Sequence, residues 1–141
     1  MKKIAIASDH GGFDLKKSVI AQLLKEGWEI DDLGPSNEDS VDYPDYGIKL
    51  AETIANKKVE RGIVICGTGV GMSIAANRLE GIRAGLVSSV EVTRLIRQHN
   101  DANVLVIPGR FMEVEEAINC VQTFIETQFE EGRHKQRIEK I

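Results

Sequence analysis

The chain has 141 residues, of which 42% are hydrophobic and 28% charged, and its formal net charge at pH 7 is −4. This composition is typical of a globular protein, and the acidic balance argues against general affinity for nucleic acid. The apolar runs are far too short to cross a bilayer, and Asp9 and His10 interrupt the N-terminal run too early for a signal peptide.

The length favours one domain over residues 1–141. The two cysteines, Cys66 and Cys120, cannot form a disulfide framework. A reducing cytoplasm is therefore the expected compartment.

Apolar runs alternate with amphipathic segments along the chain. The runs predict five strands, in chain order at residues 4–7, 28–34, 62–66, 81–87 and 103–107. Apolar residues at helical spacing predict the intervening helices, from Leu15 to a stop at Gly27, then over 46–54, after the glycine turn at 67–71, over 90–99 and over 113–128. Residues 34–43 are predicted as a loop, and residues 132–141 as a short charged helix.

Five alternations of strand and helix predict an α/β fold, with a parallel sheet covered by helices on both faces. We expect the strand order 2-1-3-4-5, which makes strands one and three neighbours. Ligands of such sheets bind at the carboxyl ends of the strands, where the strand order reverses. Asp9, His10 and Cys66 would then face one crevice, with Arg110 following strand five and His99 also near this edge.

The third predicted strand runs directly into a glycine-rich turn, "CGTGVGM". A strand, a turn of this kind and a helix together form an anion site, because backbone N–H groups point out of the turn. Met72 stands where the dinucleotide fingerprint needs glycine, and the lysine of a P-loop is absent. The turn is thus expected to hold a small anion, or an oxyanion that develops during a reaction.

The position of Cys66 gives its thiol two alternative roles. It could be a buried side chain at the end of a strand, because free cysteines are often buried. A thiol beside a helix N-terminus also ionises more readily than a free thiol, so Cys66 could act as a base or nucleophile. The second role is favoured, because oxyanion donors would lie beside the thiol. Cys120 lies in a predicted helix near its apolar stripe, and packing is its expected role.

Histidines and arginines supply the remaining candidates. His10 and His99 could each be surface residues, but two histidines near one sheet edge suit proton transfer. Arg133 and Arg137 are four residues apart and share a helix face, where they form either a solvated terminus or a phosphate clamp. No residues have metal-ligand spacing, and the G-x-S-x-G motif of hydrolases is absent.

Six segments occur together, in order: "SDHGGF", "SVDYPDY", "GIVICGTGVGMSIAANR", "GIRAGL", "RQHNDANVL" and "EGRHKQRIEKI". In these segments the chain resembles the ribose-5-phosphate isomerase B family, which includes galactose-6-phosphate and allose-6-phosphate isomerases. The resemblance implies a Rossmann-like three-layer fold and a homodimer, sometimes a tetramer, with active sites shared between subunits. It also implies interconversion of D-ribose 5-phosphate and D-ribulose 5-phosphate through an enediolate, with no metal or cofactor.

The resemblance further implies roles for individual residues. Cys66 is similar to the base that moves a proton between C1 and C2, and His99 to the group that opens the furanose ring. The turn that stabilises the enediolate oxygens corresponds to Gly67, Thr68, Gly69, Val70 and Gly71. Contacts with sugar hydroxyls are implied for Asp9, which could also move protons between oxygens, and for Tyr43 and Asn100. Phosphate contacts, some from the partner subunit, are implied for His10, Arg110, Arg133 and Arg137.

One segment departs from the family pattern and leaves the substrate open. Residues 87–93 read "VSSVEVT", where many relatives carry a cysteine, polar residues and a tyrosine, and this segment could line the crevice. The same chemistry on a six-carbon sugar, allose 6-phosphate or galactose 6-phosphate, is the first alternative. A sugar-phosphate sensor without catalysis is the second. A receiver domain is disfavoured by Cys66 and Pro108, and a flavin carrier by the 5% aromatic content.

Overall fold

A computed structural model of the chain describes residues 2–141. Its strands are β1 (Lys3–Ser8), β2 (Glu29–Asp32), β3 (Gly62–Cys66), β4 (Ala84–Leu86) and β5 (Val104–Pro108). Its helices are α1 (Phe13–Lys25), α2 (Tyr43–Ala55), α3 (Val70–Ala76), α4 (Val90–Asn100), α5 (Val114–Glu126) and α6 (Arg133–Ile138). Within this part of the chain, no helix is long and apolar enough to span a membrane.

The strands form one parallel sheet in the order β2-β1-β3-β5-β4. The predicted parallel sheet and the pairing of strands one and three are confirmed. The predicted order of the last two strands is wrong, because β5 lies between β3 and β4. All five residues of β5 are buried, whereas the three residues of β4 are partly exposed. A continuously apolar strand belongs in the interior of a parallel sheet, and a short, less apolar strand can occupy the edge.

The free edge of β4 is covered by a side chain instead of another strand. Asn77 accepts a hydrogen bond from the Ala84 N–H (2.8 Å) and donates one to the Ala84 carbonyl (3.0 Å). Its amide thus takes the place of a neighbouring peptide unit. Such pairing satisfies an edge that would otherwise be open to another strand.

Alternate residues of the inner strands point to opposite faces of the sheet, as strand geometry requires. One face carries Ile4, Ile6, Ile63, Ile65, Leu105 and Ile107, packed against the apolar residues of α1 and α5. The other carries Ala5, Ala7, Val64, Cys66, Val104 and Val106, packed against α2 and α3. The predicted three layers are therefore present, and the side chain of Cys66 lies on the α2–α3 face.

The loop between β2 and α2 is fastened by a buried lysine. Lys16 on α1 is 1% exposed, and its ammonium donates to Asp32 Oδ1 (2.7 Å) and to the carbonyl of Pro35 (2.6 Å). Taking this cation out of water is tolerated because both contacts are short and one of them is ionic. The loop is thereby held against α1, close to the end of β1.

The direction of α4 decides where its last residues lie. A helix that links parallel strands runs back along the sheet, so α4 ends near the amino ends of the strands. The N–H of Gly62, the first residue of β3, accordingly donates to the carbonyl of Asn103, just beyond α4 (3.0 Å). His99 and Asn100 are therefore at the amino edge, and the expectation that His99 lies near the carboxyl edge is wrong. Cys66 is four residues further along β3, or roughly 13 Å away from Gly62.

Candidate active site

A crevice of about 440 Å³ lies at the carboxyl ends of β1, β3 and β5. Asp9 follows β1, Cys66 ends β3, and Arg110 comes shortly after β5. The full set of lining residues is Asp9, Tyr43, Cys66, Gly67, Thr68, Val70, Gly71, Ile74 and Arg110. The structure thus brings together eight residues that the sequence identified as candidates, at the predicted position in the fold.

Hydrogen bonds fix the carboxylate of Asp9 beside the end of β3. The Asp9 N–H donates to the carbonyl of Ile65 (3.0 Å), and its Oδ1 accepts from the N–H of Gly12 (2.7 Å). The other carboxylate oxygen can therefore still take part in interactions within the crevice. A charged acceptor held by a backbone donor is a strong, oriented interaction.

His10 is exposed next to this crevice and is oriented by the loop before α2. Its Nδ1 accepts a hydrogen bond from the N–H of Val41 (3.2 Å). A ring nitrogen that accepts carries no proton, so the proton of the imidazole is on Nε2. His10 can thus present an N–H donor to an anion near the mouth of the crevice.

The glycine turn between β3 and α3 has the geometry of an anion cradle. Gly69 has a φ of 78°, a left-handed conformation that favours glycine, and Thr68 Oγ1 accepts from the Val70 N–H (3.2 Å). Within residues 2–141, the N–H groups of Gly67, Thr68 and Gly69 have no protein acceptor. Such groups at a crevice are available to a ligand, in particular to an oxygen that carries negative charge.

Arg110 brings a positive charge to the same turn. The Gly109 N–H donates to the carbonyl of Cys66 (2.8 Å), and the Arg110 N–H donates to the carbonyl of Gly67 (3.0 Å). A Cβ at Gly67 would lie 3.2 Å from the side-chain Cδ and Nε of Arg110. The arginine therefore crosses directly over the turn, and its guanidinium can join the N–H groups in binding an anion.

The remaining predicted site residues form a second group at the amino edge of the sheet. His99 and Asn100 end α4, and Arg133 and Arg137 lie on α6, which packs against α4 through the stacked rings of His99 and His134. Both arginines are exposed, whereas His134 is buried. Burial, together with the nearby His99 and Arg133, lowers the pKa of His134. Within one chain this group does not reach the crevice that contains Cys66.

One trio in the described residues brings three potential metal ligands close together. One atom each of His99, Glu130 and His134 lie within 4.8 Å of one another. The two imidazole planes differ by only 15°, with centroids 4.3 Å apart. Lone pairs in parallel stacked rings do not converge on one point, whereas a zinc ion needs convergent donors at about 2.0–2.1 Å. The arrangement of the two histidines therefore fits ring stacking better than metal binding.

Another cavity, of about 450 Å³, is lined by several arginines, but their guanidinium groups already donate to backbone carbonyls and leave few donors for an anion. Arg61 donates to two carbonyls at the end of α5, Arg83 to two at the end of α4, and Arg97 to two further carbonyls. Burial, reinforced by the charge of Arg97, lowers the pKa of Arg61. These guanidinium groups mainly complete helix ends.

Sequence reasoning missed two residues and misjudged one segment. Ile74 lines the crevice, and the signal was an apolar residue four positions after Val70 on the same helix face. His134 was not assigned to a site from the sequence, because only the tertiary structure brings it against His99. The segment 87–93 does not line the crevice: Val87 is buried in the core, and Ser89 caps α4. Cys120 is buried as predicted.

Known proteins are similar to this chain in both sequence and fold. The sequence model of the family described as Ribose/Galactose Isomerase matches residues 4–141. The chain belongs to the ribose/galactose isomerase family. The predicted family resemblance is thereby confirmed.

Members of the family are similar to the chain over nearly its whole length. Ribose-5-phosphate isomerase B of Escherichia coli is 46% identical over 141 residues, which cover 100% of this chain and 95% of the relative. A ribose 5-phosphate isomerase from Thermotoga maritima superimposes with a TM-score of 0.96 at 52% identity, covering 98% and 95% of the two chains. Ribose-5-phosphate isomerase B from Mycoplasma genitalium, solved with bound ribulose-5-phosphate, has a TM-score of 0.93 at 43% identity, covering 98% and 92%.

Proposed function

We propose that this chain is an aldose–ketose isomerase that interconverts D-ribose 5-phosphate and D-ribulose 5-phosphate, with residues 1–141 as one catalytic domain. The observation that supports this most is the crevice in which the Cys66 thiol, unpaired turn N–H groups and Arg110 meet. The family relatives named above carry this activity in their names, and one was solved with the ketose bound.

The proposed chemistry needs a base and a site for negative charge, and the crevice contains both. The Cys66 thiolate takes the proton from C2 of the open-chain aldose, and the electrons of that bond form a double bond between C1 and C2. The charge moves to O1, where turn N–H groups can hold it. Return of the proton to C1, with transfer of the O2 proton to O1, gives the ketose. Asp9 is the proposed carrier between the two oxygens.

Phosphate recognition must come from local groups, because the chain carries a net charge of −4 and the substrate is also anionic. Arg110 lines the crevice, and His10 directly follows the lining residue Asp9. The guanidinium of Arg110 and the Nε2 N–H of His10 are proposed to donate to phosphate oxygens. Arg133 and Arg137 are proposed to add to the clamp from a second copy of the chain. Tyr43 and Asn100 are proposed to contact sugar hydroxyls.

A homodimer with shared sites accounts for the separation of the two residue groups. His99 is proposed to open the sugar ring, yet it lies at the opposite edge of the sheet from Cys66. A second copy could bring its own α4 and α6 to the mouth of the crevice. The rim there is apolar and exposed at Tyr43, Val70 and Ile74, as expected of a surface that a partner covers.

The first test is one proton NMR experiment with D-ribose 5-phosphate in heavy water, with chelator present. We expect ketose to form and deuterium to enter C2 of the recovered aldose, because a solvent-exchanging base carries the proton. Cys66→Ala should abolish both processes, a loss of at least about 10³-fold, while the sugar phosphate still binds.

Cys120→Ala is the matched control, since this second buried cysteine lies in the core and should leave turnover intact. Near-native turnover in Cys66→Ala would remove the thiol from its proposed role. No turnover in the native chain, with binding retained, would favour a sensor. Turnover restricted to allose 6-phosphate or galactose 6-phosphate would replace the proposed substrate by a six-carbon one.

A further inference from the structure

Two imidazole rings lie face to face where α6 packs against α4. The centroids of His99 and His134 are 4.3 Å apart, and the ring planes differ by 15°. His134 is only 8% exposed, whereas His99 is partly open to solvent. His134 thus presents one ring face to His99 and has little contact with solvent.

The backbone near His134 is attached to the last turn of α4. The Glu130 N–H donates to the carbonyl of Gln98, which directly precedes His99 (3.1 Å). The His134 N–H donates to the carbonyl of Glu131 (3.1 Å). A buried side chain on a segment anchored in this way has few rotamers available. His134 is therefore the fixed member of the pair, against which His99 rests.

The charges around the pair favour an uncharged His134. Arg133 and Arg137 flank it on α6, His99 faces it from α4, and Glu130 in the preceding segment carries the opposite charge to the two arginines. Burial and the neighbouring positive groups lower the pKa of His134. A neutral imidazole can stack closely on a second ring, whereas two imidazolium rings at this distance would repel each other.

We infer that His134 is a positioning residue. By stacking on the His99 imidazole, it fixes the orientation in which that imidazole approaches the sugar ring. This inference rests on the proposed function. Ring opening breaks the bond between C1 and the ring oxygen O4, while the O1 hydroxyl loses a proton and O4 gains one. Proton transfer to and from these oxygens requires a ring nitrogen within hydrogen-bond reach. An imidazole that is free to rotate would meet this requirement less often.

The choice of substrate separates ring opening from the later proton transfer. D-Ribose 5-phosphate closes into a furanose, which the enzyme must open. D-Ribulose 5-phosphate cannot form the corresponding five-membered ring, because its O5 carries the phosphate. Exchange of the C1 proton of the ketose with heavy water therefore reports on Cys66 without any ring opening.

We expect His134→Ala to lower kcat from ribose 5-phosphate by about tenfold or more, with KM and C1 exchange almost unchanged. His134→Phe restores a flat ring face and should recover most of the lost turnover. Lys135→Ala is the matched control, because Lys135 is the next, exposed position of α6. Native turnover in His134→Ala, parallel loss of turnover and exchange, or no recovery in His134→Phe would each overturn the inference.

A spectroscopic measurement keeps the inference testable if His134→Ala does not fold. In the native protein, the ring protons of His99 should be shifted upfield by the stacked ring, and absence of that shift would contradict the stacking. Failure of the proposed function gives a different result, since the native protein would then catalyse neither turnover of ribose 5-phosphate nor C1 exchange in the ketose.

Discussion

At the residue scale, Tyr43 and Gly71 show how closely the glycine turn is packed. A Cβ placed on Gly71 would overlap the ring of Tyr43 at Cε1 and Cζ. The tyrosine can therefore lie along the crevice only because position 71 has no side chain. Overpacking of this kind typically costs about 1–3 kcal/mol unless the neighbour moves.

We predict that Gly71→Ala turns the Tyr43 ring away and raises KM for ribose 5-phosphate about tenfold, which corresponds to about 1.4 kcal/mol of lost binding. Steady-state kinetics of Gly71→Ala, Tyr43→Ala and the double variant measure the effect. Because the clash needs the ring, Gly71→Ala should change little once Tyr43 is alanine. If Gly71→Ala raises KM equally in both backgrounds, the increase comes from a change in the turn itself and not from the Tyr43 ring.

At the element scale, α4 is the helix whose position matters most, because it carries His99 at its far end. The helix begins with a side-chain cap, in which Ser89 Oγ accepts from the Val92 N–H (3.1 Å). Thr93 adds a second link, since its hydroxyl donates to the Ser89 carbonyl (2.8 Å). The segment that departs from the family pattern therefore has a structural role at the start of this helix.

We predict that Ser89→Ala lowers the free energy of unfolding by about 1 kcal/mol, because the first turn of α4 loses its cap. Urea denaturation measures this change. Ser88→Ala is the matched control, since Ser88 is exposed and directly precedes the cap. If the two variants are equally stable, the cap does not contribute to folding.

At the scale of the whole molecule, the candidate site is divided between opposite edges of one sheet. Cys66 is at the carboxyl end of β3, whereas His99 lies near the amino end of the same strand. The roles that family resemblance implies for both residues can be combined in one site only if two copies face each other. In a two-fold symmetric dimer, each crevice would receive α4 and α6 of the other copy.

We predict that mixing Cys66→Ala with His99→Ala restores activity, although each variant alone is inactive. In a mixed dimer, one site lacks both groups and the other retains both. Random exchange of subunits should thus give about one quarter of native turnover, as expected for a symmetric dimer. The measurement is turnover after the variants are unfolded together and refolded. Lack of recovery, despite mixed dimers seen by native mass spectrometry, would mean that sites are not shared.

The sequence was a good guide wherever neighbours along the chain decide the structure. The strands, the helices and the positions of Asp9, Cys66 and the glycine turn were all predicted, because periodicity and turn residues act within a few positions. Arg110 was predicted near the same edge because parallel strands end together. The motifs of the ribose/galactose isomerase family can also be identified from the sequence without the structure.

Only the tertiary structure decided features that depend on distant segments. β5 lies between β3 and β4 because its continuously apolar residues are buried in the interior of the sheet. Local propensity does not encode this choice of neighbours. The position of His99 at the amino edge follows from the direction of α4, and its stacking on His134 follows from how α6 packs. These contacts join residues that are far apart in sequence, so their geometry is set by the packing of the complete fold.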